Sequence, residues 1–101
     1  MDANKLAKLV KALAAARRSL QDARDLEAIA SMAERTPYSG GNHVMWHSAF
    51  PAHRAFPIGR HGGDQKVGHH AQKVILAHLD ADAAAWQEHL DRQEQENGGE
   101  Q

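Results

Sequence analysis

Histidines crowd one stretch of this sequence. Seven of the eight lie between residues 40 and 78, together with Trp46, Phe50 and Phe56. An imidazole titrates near neutrality, so it can take or return a proton in a reaction. Two of these residues, His43 and His47, stand four apart, and the chemistry open to them depends on the element that carries them. On a helix they share a face, and with His61 or Asp64 they would make a nitrogen and oxygen ligand set for a metal. On a strand, His43, Met45 and His47 share one face while Val44 and Trp46 share the other. In that arrangement the pair suits acid–base work. Four cations in the same region, Arg54, Arg60, Lys66 and Lys73, are suited to gripping phosphate and steadying developing negative charge. Each side chain also has a plainer reading. A lone histidine or lysine is usually ordinary surface, and His69-His70 reads as the solvated start of a helix.

Composition narrows the classes. The chain has 101 residues and no cysteine, so it reads as one domain without disulfides or thiolate metal sites. No run is apolar and long enough to span a bilayer, and Met1-Asp2-Ala3-Asn4-Lys5 does not begin a signal peptide, so a cytoplasmic protein with no membrane partner is expected. The net charge of −1 conceals a polarised chain. Residues 1–36 carry +2, residues 37–79 carry +3, and residues 80–101 carry −6. The middle suits an anionic partner, and the end would repel one.

The elements that must position the histidines follow from periodicity. Leu6, Leu9, Val10, Leu13, Ala16 and Leu20 recur at three and four, the signature of one helix face. Asp2 is placed to cap its start, and Ser19 followed by Asp22 resembles a capping box. Residues 3–35 therefore form either one long helix or two, roughly 3–17 and 20–34, the second with Leu26, Ile29, Ala30 and Ala33 inward. Thr36-Pro37 ends it. Tyr38 to Asn42 is turn chemistry. The strand is favoured for His43–His47, because a Gly-Gly turn precedes it and Pro51 follows too soon for a helix. A short strand is expected around Ala55–Ile58, at an edge because Pro57 lacks an N–H. A helix after Gly68 buries Val67, Ala71, Val74, Ile75 and Leu79. It either continues through Leu90 or breaks near Asp80–Asp82, and Asn97-Gly98-Gly99 stops it. Trp46 and Phe56 are expected in the core, and Trp86 as an exposed anchor for a partner. The order implies an α+β fold with helices on one face of a small antiparallel sheet.

Three blocks in this order resemble a known family. Gly41-Asn42-His43-Val44-Met45-Trp46-His47 resembles the Gly-Ser-His-x-x-aromatic-x-His strand of HicA-type toxins. Arg54-Ala55-Phe56-Pro57-Ile58-Gly59-Arg60-His61-Gly62 resembles that family's next strand and His-Gly turn. Lys66-Val67-Gly68 with Lys73-Val74-Ile75-Leu76 resembles its final helix. The resemblance covers residues 20–79. It implies a double-stranded-RNA-binding-like α-β-β-β-α core, to which residues 1–18 add a helix and residues 80–101 an acidic helix and tail. It also implies an mRNA-cleaving toxin held inactive by a HicB-like antitoxin, with His43 catalytic. Asn42 stands where the family has serine.

Metal-free RNA cleavage needs one group to take the 2′-hydroxyl proton and one to protonate the leaving oxygen. His43 and His47 are the candidates for these roles, Arg54, Arg60, Lys66 and Lys73 for the RNA-binding cations, and no cofactor is required. A competing expectation is a non-catalytic RNA- or protein-binding module on the same fold, motivated by Asn42 and the acidic tail. The long first helix and the helix around Trp86 are expected to meet an antitoxin or a second copy of the chain.

Overall fold

The computed structural model describes residues 1–40, 43–59 and 66–98. Six elements follow in order: α1 (Ala3–Ala16), α2 (Ala23–Met32), β1 (Thr36–Gly40), β2 (His43–His47), β3 (Phe56–Pro57) and α3 (His69–Gly98). The fold is α+β, and α2-β1-β2-β3-α3 has the expected α-β-β-β-α order.

The first 33 residues form two helices. Asp2 caps α1, its carboxylate accepting the Lys5 N–H at 2.8 Å. The second cap is Asp22, which accepts the Asp25 N–H at 2.8 Å. Ser19 is left in the connection, where its backbone carbonyl and hydroxyl both accept from the Gln21 amide. These caps hold both carboxyl groups below the usual carboxylate range, because the backbone N–H bonds favour the charged form. Leu6, Leu9, Leu13 and Ala16 are buried, as the periodicity requires, but Val10 and Leu20 are exposed.

At the end of α2 the chain turns through Glu34, whose φ of 65° is left-handed. The Arg35 N–H bonds the Ala30 carbonyl and the Glu34 N–H bonds the Ser31 carbonyl, which closes the helix in a Schellman arrangement. The turn delivers Arg35 into the interior and starts β1 at Thr36. Here the sequence expectation of a turn over Tyr38–Asn42 is corrected for its described part. Thr36 to Gly40 is a strand, paired antiparallel with β2 from Thr36↔His47 to Gly40↔His43. Gly41 and Asn42 lie outside the described residues. Strand pairing overrides the turn propensity of Pro37, Ser39 and Gly40, and β1 is an edge strand, where proline is tolerated.

The sheet order is β1-β2-β3. Trp46 pairs with Phe56 and Met45 with Pro57, so Pro57 does sit on an edge. Trp46 and Phe56 are buried on the helix side of the sheet, in one core with Leu9, Leu26, Ile75 and Leu79.

α3 is a single helix of 30 residues, without a break at Asp80–Asp82. Its buried stripe differs from the expected one. Val67, Ile75 and Leu79 are buried, but Ala71 and Val74 are exposed, and Gln72 and Leu76 take their place inside. Gln72 joins three segments. Its amide donates to the carbonyls of Ala16 (3.1 Å) and Ser19 (3.0 Å), and its oxygen accepts the Gln21 N–H (2.7 Å). Trp86 is likewise buried rather than exposed. Its indole N–H bonds the Ala33 carbonyl at 2.9 Å, satisfying an acceptor at the end of α2.

Candidate functional site

β2 carries the histidine face. His43 and His47 are both exposed, and Met45 between them is half-buried. They point away from the helix layer, to the side shared by their cross-strand neighbours Thr36, Tyr38 and Gly40. Tyr38 is 61% exposed and meets the His47 ring edge-on at 5.4 Å between centroids. This side of the sheet is therefore a surface of histidine, tyrosine and methionine rather than a second core.

The strand geometry settles how the two histidines relate. Four residues along a strand rise about 13 Å. His43 and His47 thus stand at opposite ends of β2, and side chains leaving the same face in parallel do not converge on one phosphodiester. Being on a strand, they also lack the one-turn spacing of a helical ligand pair. Among the described residues no group of three or more histidine or acidic side chains is placed to hold a metal ion. His61 and Asp64 lie outside the described residues.

At the end of β2, His43 borders an open hollow of about 730 Å³ that lies on the other side of the strand, with Val44 and Trp46, and is lined also by Pro37, Ser39, Ile58, Gly59 and Glu27 of α2. Among the described residues no side chain is hydrogen-bonded to the His43 ring. Among the described residues no lysine or arginine lines this hollow, whereas the acidic Glu27 does. Gly59 is its last described lining residue on the β3 side, and Arg60, the next residue and one of the sequence-predicted cations, lies outside the described residues.

The other cations lie elsewhere. Arg54 is exposed two residues before β3, toward the His47 end of the sheet, and its carbonyl is tied down by Arg35. Lys66 is exposed beside Asp22, in an isolated antiparallel bridge at the start of α2. Lys73 lines a different hollow, of about 470 Å³, with Arg17, His69, Gln72 and Asp80 between α1 and α3. Arg17 there is ion-paired with Asp80. The structure thus brings together His43 and the sheet hollow, and separates both from Arg54, Lys66 and Lys73.

Sequence reasoning passed over a second cluster, beneath the sheet. Arg35 and Asp82 are both buried and form a two-point ion pair, Nε to Oδ2 at 2.6 Å and Nη2 to Oδ1 at 3.0 Å. Arg35 Nη1 donates to the carbonyls of Trp46 and Arg54, each at 2.9 Å. The guanidinium also lies 4.4 Å from the Phe56 ring centre. His53 Nδ1 is 2.7 Å from Asp82 Oδ1. Its ring packs on Phe50, which in turn meets Trp86. One sequence signal pointed here. Gln72 and Asp82 fall on the same three-and-four stripe as Ile75, Leu79 and Trp86, and a polar residue on a core stripe announces a buried hydrogen-bond network. The cluster clamps the 48–55 loop to the sheet and helix.

Among the described residues no helix is long and apolar enough to cross a membrane. Comparison with models of known protein families, with curated proteins and with solved structures gave no match.

Proposed function

We propose that this chain is a HicA-like mRNA interferase, the toxin of a toxin–antitoxin pair, acting in the cytoplasm without metal or other cofactor. The observation that carries the reading is the placement of His43. It is exposed, it stands on a strand as the family resemblance requires, and at the end of that strand it borders an open hollow on the Val44 and Trp46 side of the sheet. His43 takes the 2′-hydroxyl proton as that oxygen attacks the phosphorus, and returns it to the 5′-oxygen as the P–O5′ bond breaks, leaving a 2′,3′-cyclic phosphate. His47, at the far end of the strand, meets a neighbouring nucleotide on the same face, where Tyr38 offers a ring for stacking. Arg60 follows directly on a residue lining the hollow, and Arg54, Lys66 and Lys73 hold phosphates farther along the RNA. A HicB-like antitoxin would silence the toxin by covering the histidine face.

The test is overproduction of the wild type and of His43→Ala, scored by growth arrest and by the integrity of cellular RNA. The wild type should cleave. His43→Ala should not, while keeping the wild-type circular dichroism. A wild type that leaves RNA intact refutes the proposal.

One observation favours a second reading, a non-catalytic RNA- or protein-binding module. None of the described cations lines the hollow beside His43. Titration with RNA at two salt concentrations separates the readings, because phosphate contacts weaken steeply with salt. Salt-sensitive affinity without cleavage selects the binding module.

A further inference from the structure

α1 carries two apolar stripes, and only one is used within the fold. Leu6, Leu9, Leu13 and Ala16 are buried. Ala3, Ala7, Val10 and Ala14, spaced four, three and four as in a coiled-coil seam, are exposed, with Val10 at 53%. This second stripe forms one wall of a groove of about 450 Å³, and Leu90 of α3 forms part of the other. α1 and α3 run antiparallel here. Arg17 near the end of α1 pairs with Asp80, while residues of the first turns of α1 share the groove with Leu90 and Glu94.

The two rims of the groove differ in sign. Lys11 lines the α1 side, and Asp91 and Glu94 line the α3 side. Such a groove is complementary to itself, but only under one rotation. A two-fold axis perpendicular to the helices would lay α1 on α1 and oppose Lys11 to Lys11. An axis parallel to the helices lays the α1 of each copy over the α3 of the other, antiparallel, so that each Lys11 meets the partner copy's acidic rim.

We infer that this groove is a homodimer interface and that its occupant is a second copy of the chain, related by a two-fold axis parallel to α1 and α3. The product is a four-helix bundle whose seam is closed by Val10 and the three alanines, small residues that let helices approach closely. A footprint two helices wide and 14 residues long is roughly 20 by 21 Å, or about 840 Å² over both copies, which is below the size of stable specific interfaces and within that of weak, transient ones. The dimer should accordingly be concentration-dependent. It leaves the histidine face of the sheet uncovered, so it stands independently of the proposed activity.

Sedimentation analysis of the full chain over a wide concentration range tests the inference. The wild type should pass from 11.1 kDa to twice that mass. Val10→Glu should remain monomeric with unchanged helicity. Lys11→Glu should weaken the dimer roughly tenfold, since two rim contacts change from attraction to repulsion. Combining it with Asp91→Lys and Glu94→Lys should restore the dimer. A chain that is monomeric at every concentration overturns the inference, including one whose groove takes a helix of an antitoxin instead. A dimer indifferent to Val10→Glu places the interface elsewhere, and failure of the charge swap to rescue overturns the two-fold arrangement.

Discussion

Replacing Asp82 by asparagine keeps the shape of the side chain and removes its charge. The consequence can be worked out from its surroundings. The Arg35 side chain is 0% exposed and the Asp82 side chain 1%. Arg35 directs four hydrogen bonds, two to Asp82 and one each to the Trp46 and Arg54 carbonyls. Asp82→Asn leaves that guanidinium in the interior with no counter-charge and asks His53 to find a new partner. Stranding one member of a buried ion pair costs about 3–5 kcal/mol. Whole domains are stable by about 5–15 kcal/mol, so the loss is a large share of the total. Arg35→Met should cost at least as much, because it strands Asp82 and leaves two carbonyls without their donor. The double replacement Arg35→Met with Asp82→Leu removes both charges and restores apolar volume, so it should cost clearly less than the two single losses combined. Urea unfolding followed by tryptophan fluorescence is the assay, since Trp46 and Trp86 are both buried and Trp46 is bonded by Arg35 itself. An Asp82→Asn loss below about 1 kcal/mol, the range of exposed pairs, would refute the view that this cluster is desolvated and holds the fold together.

Two further changes test the packing and the caps. Gln72→Leu should destabilise by about 2–4 kcal/mol in the same urea assay, because the Ala16 and Ser19 carbonyls and the Gln21 N–H each lose a partner in a buried or half-buried setting. Stability should also fall on acidification below pH 3.8, the ordinary carboxyl value from which Asp2 and Asp22 are lowered. The sign follows from linkage. A carboxyl with a lowered pKa in the folded chain binds protons more weakly there than in the unfolded chain, so its contribution is complete above pH 3.8 and disappears as pH falls through the folded value. Asp2→Asn with Asp22→Asn keeps both cap acceptors but cannot ionise. It should therefore flatten the acid limb of a denaturation-midpoint profile against pH, and an unchanged limb would assign the acid sensitivity to other carboxyls.

The parts of this molecule that could be read from the sequence are those fixed by local pattern. The strand at His43–His47 is one, because Val44 and Trp46 alternate with the histidines and a Gly-Gly pair precedes them. Pro57 at an edge is another, since a residue without an N–H has few other places in a sheet. β1 was hidden because its residues prefer turns and only the partner strand makes them extended. The misplacement of Val10 and Val74 has a related cause. Both are apolar at helical spacing, and only the angle at which α1 and α3 meet their neighbours decides which stripe turns inward. Arg35 and Asp82 are 47 residues apart, and Trp86 is 53 from the carbonyl that receives its N–H. No local pattern joins such partners. The exposed position expected for Trp86 failed for that reason, since its one polar atom had a buried acceptor that the sequence does not display.

What they touch divides four of the histidines into two kinds. His53 bonds the buried Asp82, and His78 lies flat on Phe56 at 5.3 Å, so both belong to the packing of the 48–57 segment against α3. Among the described residues His43 is bonded to nothing, and His47 meets the Tyr38 ring. Removing a packed imidazole should therefore lower stability and affect a surface function only through unfolding. Removing His43 should leave the urea midpoint unchanged and affect function alone. A side chain exposed on a strand, with no partner among the described residues, has little structural reason there to be a histidine rather than a threonine or a valine, which suit strands better. If His43→Thr leaves stability unaltered and RNA cleavage abolished, the residue is there for its proton. If His43→Thr cleaves as the wild type does, the strand merely displays it, and the cationic segments farther along the chain must carry whatever the protein binds.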